Sequence, residues 1–378
     1  MGLTVGVLRE TWPGERRVAM APKGLDALAK MGAAFCMESG AGVEAGFPDR
    51  EYEAKGATIL PGPKAVLEKS QVILGVRLTE PVPPLTPQHT WIGFCDPLSE
   101  PNLAQAVASR GAALFSMEFV PRITRAQSMD ALSSMASIAG YKAVLVAASA
   151  LPRMFPMMMT AAGTVPPARV FVIGAGVAGL QAIATARRLG AVVSAYDVRE
   201  AVREEIQSLG AKFVNITLGA KAEGQGGYAK QLDEETYRKQ REQMTTVLRE
   251  QDVIITTAAV PGKKAPLLVT RDMVHEMSPG SVVVDMAAER GGNCELTKAG
   301  QTVVENGVSI LGPVNIPASV PYHASQMYAR NLSAFLKNTV KNGELVIDLN
   351  DEITRETLVA YKGEVVNPRV QALLGVVA

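Results

Sequence analysis

The chain has 378 residues, 47% hydrophobic and 20% charged, enough apolar mass for two or three packed domains. A formal net charge of +1 excludes strong electrostatic attraction to nucleic acid or to an anionic membrane surface. The cysteines (Cys36, Cys95, Cys294) and histidines (His89, His275, His323) lack disulfide or metal-ligand spacing, which fits a reducing compartment and predicts no metal site.

Residues 1–9 have no basic n-region and run straight into strand-like sequence, so they do not read as a signal peptide. Residues 4–8 make the first strand. The polar, basic stretch 9–22 is a loop, and Pro22 opens a helix to about residue 31. Strand and helix patches then alternate: 34–37, 64–69 and 71–76, a stiff proline-rich loop at 81–87, a strand at 91–94, a helix at 102–110 and a strand at 112–116. The first 120 residues thus read as an α/β unit without a glycine fingerprint. Residues 130–151 are one long helical pattern, dominated by Ser and Ala and so suited to close packing, that connects to the next unit. The longest apolar stretch, 143–160, carries Pro152, Arg153 and Pro156, which argues against a transmembrane helix. If the protein works at a membrane, another chain supplies the span. Residues 161–169, with Pro166 and Pro167, are expected to be a loop.

The next stretch organises the chain. Arg169-Val-Phe-Val-Ile173 is an apolar β-branched strand, residues 177–189 suit a helix, and residues 192–196 are a second strand ended by Asp197. Gly174, Gly176 and Gly179 between them have G-x-G-x-x-G spacing. Gly174 permits the sharp turn, Gly176 lets a pyrophosphate approach the backbone, and Gly179 lets the helix pack on the strand. The helix start offers N–H groups to phosphates. Asp197 accepts hydrogen bonds from an adenosine ribose and repels a 2′-phosphate, which favours NAD over NADP. Arg199 argues the other way; without a ligand role it is a solvated residue at a helix start.

After Asp197 come a helix at 201–209 and a strand at 212–215. Residues 219–244 hold Gly224, Gly226 and Gly227, then dense charge; so long a loop is a lid or disordered. A strand at 252–258, a turn at 261–266, a helix at 268–277 and a strand at 281–285 follow. The loop Glu289-Arg-Gly-Gly-Asn293 lies beyond a carboxyl end, where doubly wound sheets bind ligands. Residues 303–304 and 308–311 look like the last strands, 324–337 like a helix returning to the first unit, and the tail reads as strand-rich. The expectation is an α/β protein of two Rossmann-like doubly wound parallel-sheet domains with a cleft between them. Residues 1–130, completed by 320–378, form one, and residues 131–319 form the NAD-binding other.

Several motifs together resemble the NAD(H)-binding component (domain I, the first piece of a split alpha subunit) of proton-translocating nicotinamide nucleotide transhydrogenase, over nearly the whole chain. They are Arg122-Ile-Thr-Arg-Ala-Gln-Ser-Met-Asp130 and the Ser133 that follows, Gly174-Ala-Gly-Val-Ala-Gly-Leu-Gln181, Gly226-Gly-Tyr-Ala-Lys230, Thr256-Thr-Ala258, Pro261-Gly-Lys263 and Glu289-Arg-Gly-Gly-Asn-Cys294. The resemblance implies hydride transfer between NAD(H) here and NADP(H) on a separate beta subunit, coupled to proton movement by a membrane-spanning subunit. It implies a homodimer, held through its partners on the cytoplasmic face of the inner membrane. Ending at Ala378 without a span, the chain is expected to be the split form. Carried over, Arg122 contacts the dihydronicotinamide, Asp130 and Ser133 hold the carboxamide and the loop geometry, and Gln127 reaches toward the partner's nucleotide. Ser133, three residues after Asp130, is expected on the same helix face. The cofactor set is Gly174, Ala175, Gly176, Val177, Ala178, Gly179, Asp197, Val198, Arg199, Tyr228, Thr257, Ala258 and Glu289, with Tyr228 on a closing loop. Otherwise Arg122 is a surface charge, Ser133 a helix N-terminal residue, Tyr228 an exposed tyrosine and Glu289 a loop carboxylate. Hydride transfer removes no proton from a heteroatom, so positioning two rings is the main requirement.

Alanine dehydrogenase is the second resemblance, with Arg16 or Arg17 near its substrate arginine. That family uses a histidine after the strand matching residues 91–94, where Gly93-Phe94-Cys95-Asp96 has none, and an aspartate where Glu289 stands. Reductive amination needs a proton donor and acceptor, so Arg16 and Arg17 read as structural.

Overall fold

The computed structural model describes residues 2–216, 242–260 and 262–375. The chain divides into two compact units, Met1–Met135 with Pro317–Ala378, and Ala136–Ile316.

In the first unit eight strands form one sheet in the order Glu364–Val365, Leu358–Tyr361, Ala113–Ser116, Thr90–Phe94, Val72–Arg77, Thr4–Val7, Ala34–Glu38, Thr58–Leu60. The six strands up to Ser116 are parallel. Numbered along the chain, they stand in the 3-2-1-4-5-6 order of a doubly wound sheet. The two C-terminal strands add antiparallel at one edge. The long helix Pro321–Thr339 joins this unit; the buried Tyr328 donates its hydroxyl to the Gly75 carbonyl at 3.0 Å.

The second unit repeats the plan. Its sheet runs Lys212–Phe213, Val192–Tyr196, Arg169–Ile173, Val253–Thr256, Val282–Asp285, Val308–Leu311, Thr302–Glu305. All pairs are parallel except the last, a hairpin turned at Asn306 and Gly307. Strand alternation accounts for the two cores. Val170 and Val172 pack on one face with Ala143, Val144 and Ala147 of helix Ala131–Ala150 and with Ala182 and Ile183 of helix Val177–Arg188. Phe171 and Ile173 point the other way, toward Leu248, Met273 and Val274. A strand buried on both faces has to be apolar throughout, which is why these strands read as continuous β-branched runs.

Helix Ala131–Ala150 is the one helix among the described residues long and apolar enough to cross a membrane, with 44% of that window buried inside the protein. Its Ala143, Val144 and Ala147 are core residues of the second unit. Gly140 brings it against helix Val177–Arg188: a Cβ there would stand 2.1 Å from the Ala178 carbonyl oxygen.

The fold departs from sequence expectation in three places. Residues 161–169 are not all loop, because Met158–Thr160 pairs antiparallel with Gly163–Val165. The tail is not mainly strand: helices Glu352–Thr357 and Pro368–Leu373 flank its two sheet strands, each started by an acid or amide cap, Asp351 on the Thr354 N–H and Asn367 on the Arg369 N–H. The edge strand Thr58–Leu60 has only three residues, too few to carry a periodic signal.

Candidate functional site

In the second unit the glycine turn leaves the carboxyl end of Arg169–Ile173, where the strand order reverses. Gly174 sits at φ +98°, and a Cβ there would meet Thr257 Oγ1 at 2.5 Å. Thr257 donates its hydroxyl to the Gly174 carbonyl at 2.9 Å, tying the turn to the end of strand Val253–Thr256. Gly179 lies directly on this turn; a Cβ would stand 1.8 Å from the Gly174 oxygen. These two glycines are demanded by the protein's own packing.

Gly176 is different. Its backbone is extended, at φ −76° and ψ −169°, a conformation open to any residue. Among the described residues, no atom beyond its two chain neighbours lies within 4 Å of its missing Cβ. It precedes helix Val177–Arg188, which has neither a side-chain cap nor an acidic residue in its first turn. The N–H groups at such an end are satisfied by a capping side chain, by water or by a ligand. A bare helix start beside an open cradle fits a pyrophosphate, which satisfies the N–H groups and fills the space that a side chain would take.

Asp197, at the end of Val192–Tyr196, is buried. It accepts the Ala175 N–H at 2.7 Å and the Arg199 N–H at 2.9 Å. The Arg199 guanidinium closes on it with Nε and Nη2, each at 3.0 Å. Burial pushes this carboxyl up, but the bonds from Arg199 and Ala175 outweigh it and hold the group below its ordinary range. Arg199 is therefore a partner of Asp197 rather than a solvated residue, and Val198 between them packs on the core.

Ala258 is fixed by a residue to which sequence reasoning gave no role. Asn293, fully buried, accepts the Ala258 N–H at 3.1 Å and donates to the carbonyls of Ala258 and Pro266, both at 2.8 Å. Its only sequence signal was membership of the Glu289–Cys294 motif. Glu289 is exposed on the short helix Ala288–Arg290. Tyr228 lies outside the described residues, as do Gly226 and Gly227.

The first unit carries the other candidate residues. Residues 124–129 are a short 3-10 helix on which Gln127 is exposed, and Arg122 just before it is exposed too. Asp130 does not share a helix face with Ser133, as the spacing suggested. It precedes helix Ala131–Ala150 and caps it, accepting the Ser133 N–H at 2.8 Å on Oδ1 and the Ser133 hydroxyl at 2.6 Å on Oδ2. A short acidic side chain that competes for backbone N–H groups belongs at such a start. The loop is anchored from far along the chain. Asn331 donates to the Ser128 carbonyl at 2.9 Å, and Arg125 reaches Asn338 at 3.1 Å and Asp351 at 2.6 Å. Some burial raises the Asp351 carboxyl, but bonds from Thr354, Arg125 and Asn338 hold it well below the usual range.

The first unit's own switch point is filled by its own acids. Glu10 accepts the Val76 N–H at 2.6 Å and the Arg77 N–H at 3.2 Å. Arg17, buried, is clamped by Glu15 through Nε at 2.7 Å and Nη2 at 2.6 Å. Arg16 is exposed, with Glu44 at 3.9 Å. After strand Thr90–Phe94, the Cys95 and Asp96 N–H groups go to Glu118 at 2.9 and 2.8 Å.

Both units match known domains. The model of the alanine dehydrogenase/PNT N-terminal domain matches residues 6–139, and that of the C-terminal domain matches residues 143–368. The first segment of NAD(P) transhydrogenase subunit alpha from Rhodospirillum rubrum is 44% identical over 97% of this chain and 98% of its own length. A transhydrogenase crystal structure from Sinorhizobium meliloti superposes with TM-score 0.86 at 44% identity, covering 96% of this chain and 100% of that one. Alanine dehydrogenase of Bacillus subtilis is more distant, 28% identical over 84% of this chain and 81% of its own.

Proposed function

The chain belongs to the alanine dehydrogenase/PNT family, and from that membership we propose that it is the NAD(H)-binding component of a proton-translocating NAD(P) transhydrogenase. The observation that carries this reading is Gly176: a glycine that no contact among the described residues requires, at a helix start without a side-chain cap among them. Gly174 to Gly179 would hold the pyrophosphate, Asp197 the adenosine ribose, and Thr257 and Ala258 the far side of the cradle, with Val177, Ala178, Val198 and Glu289 around it. Bound there, the dinucleotide supplies the hydride.

The chain's own contribution is positional. Asp130 and Ser133, bonded to each other, give the loop one geometry, and Arg122 and Gln127 stand exposed on it. An exposed loop suits transfer to NADP(H) on a second subunit, because the two rings have to come into near contact. A homodimer, a beta subunit, a membrane-spanning subunit and a station on the cytoplasmic face of the inner membrane complete the proposal. The hairpin of Met158–Thr160 and Gly163–Val165, with Met159 75% exposed, is the surface we assign to the second copy, because an isolated two-stranded hairpin is marginal in water. Sedimentation of the chain as a monomer at high concentration would remove that assignment.

The amino-acid dehydrogenase reading is weaker. Its substrate arginine would be Arg16 or Arg17; the Arg17 guanidinium is held by Glu15 through Nε and Nη2, and Arg16 is exposed with Glu44 at 3.9 Å. The position of its acid–base histidine holds Cys95 and Asp96. Titration calorimetry and an L-alanine assay test the choice: the chain alone binds NADH and oxidises no L-alanine. Turnover of L-alanine with NAD would reverse it.

A further inference from the structure

The Asp197 carboxylate has no acceptor position left. Oδ1 takes the Arg199 N–H at 2.9 Å and its Nε at 3.0 Å; Oδ2 takes the Ala175 N–H at 2.7 Å and Arg199 Nη2 at 3.0 Å. A carboxylate offers about four lone-pair sites. Two of these donors are backbone groups, fixed by the strand end and the glycine turn. The other two belong to one side chain that is 27% exposed, against 7% for Asp197. Ribose hydroxyls that bind this carboxylate must therefore displace the guanidinium, since the backbone donors have nowhere to go.

We propose that Arg199 is a latch on the adenosine-ribose subsite. It closes on Asp197 in the absence of dinucleotide and opens when the 2′- and 3′-hydroxyls arrive. Once open, it stands beside the 2′ position and sets how much 2′-phosphate the site tolerates. The inference rests on the dinucleotide reading of this site and extends it to the residue that governs discrimination. The latch has two opposite effects. It competes with NADH, because the binding-competent form is only a fraction of the population. It also shields an incoming 2′-phosphate from Asp197 and offers that phosphate a planar fork of donors.

Titration calorimetry of the full chain with NADH and with NADPH, for wild type, Arg199→Ala and Arg199→Lys, tests it. Arg199→Ala should bind NADH about threefold to tenfold more tightly and NADPH about tenfold more weakly. Arg199→Lys, which keeps the charge and loses the fork, should bind NADH more tightly with NADPH nearly unchanged. Melting curves check that both variants fold. Weaker NADH binding by Arg199→Ala would make Arg199 a support for Asp197 and overturn the latch, as would an unchanged ratio of the two affinities. If wild type fails to bind NADH at all, the site reading falls, and the latch with it.

Discussion

Three glycines one turn apart answer to different demands. Gly179 and Gly174 are held by protein contacts below 3 Å, and Gly174 also by its positive φ. Gly176 meets no such contact among the described residues. Gly179→Ala should therefore destabilise the protein by about 2 kcal/mol or more through overpacking. Gly176→Ala should melt within about 1 kcal/mol of wild type, since a small capping loss offsets a small gain in the unfolded state. Yet its NADH affinity should fall at least about tenfold, the cost of blocking phosphate approach. Thermal melts and NADH titrations of the two variants separate the roles. The glycine spacing and Asp197 were legible because strand, turn and helix are local. The asymmetry among the glycines was not, because it depends on which atoms of other strands lie beneath each one. Nor was the Arg199 clamp, although it spans only two residues, since the sequence does not say which way a guanidinium turns.

Glu10 makes a second prediction at this scale. Burial first, with repulsion from Glu15, pushes its carboxyl up to about 7, against the lowering effect of the Val76 and Arg77 N–H groups and of Arg17. Its folded-state pKa lies above the unfolded value, so the folded protein binds this proton more tightly. Stability from this group is full below about pH 4.5 and is lost as pH rises to about 7. The loss is at most about 3 kcal/mol, because Glu10 keeps some contact with solvent. Glu10→Gln should melt higher than wild type at pH 8, and the two should converge near pH 5. Parallel melting profiles across that range would contradict the assignment.

At the scale of elements, the loop 122–130 owes its shape to segments more than two hundred residues away. Arg125 reaches Asp351 across 226 positions and Asn331 reaches Ser128 across 203. Contacts so distant in sequence leave no periodic trace, so the loop's motif was legible while its anchors were not. The hairpin from Met158 to Val165 was missed for a related reason: Met, Thr and Gly alternate too weakly to mark a strand. Helix Ala131–Ala150 was legible from its small residues, but the backbone contact at Gly140 was not. Arg125→Ala should slow hydride transfer to the partner's nucleotide about tenfold or more while changing NADH affinity less than about twofold, since it misplaces the loop and leaves the cradle alone. Stopped-flow transfer rates beside NADH titrations check this; an equal loss in both would mean that the loop supports binding rather than transfer.

At the scale of the whole molecule, the chain uses one strand order twice for different ends. Each unit sets its first five strands in the order 3-2-1-4-5, with a switch point between strands 1 and 4. In the second, that point is lined by glycine and a bare helix start. In the first, Glu10 already occupies the backbone N–H groups that an anion would seek. Among the described residues the first unit has no such glycine cradle, which supports the proposal that the second nucleotide is carried by another polypeptide. The most direct test follows the reduction of an NAD analogue by NADPH in a single turnover, with this chain alone and with an NADP(H)-binding transhydrogenase component added. Fast reduction only when both proteins are present is the predicted result. Reduction by the chain alone, or none when the two are combined, would contradict it.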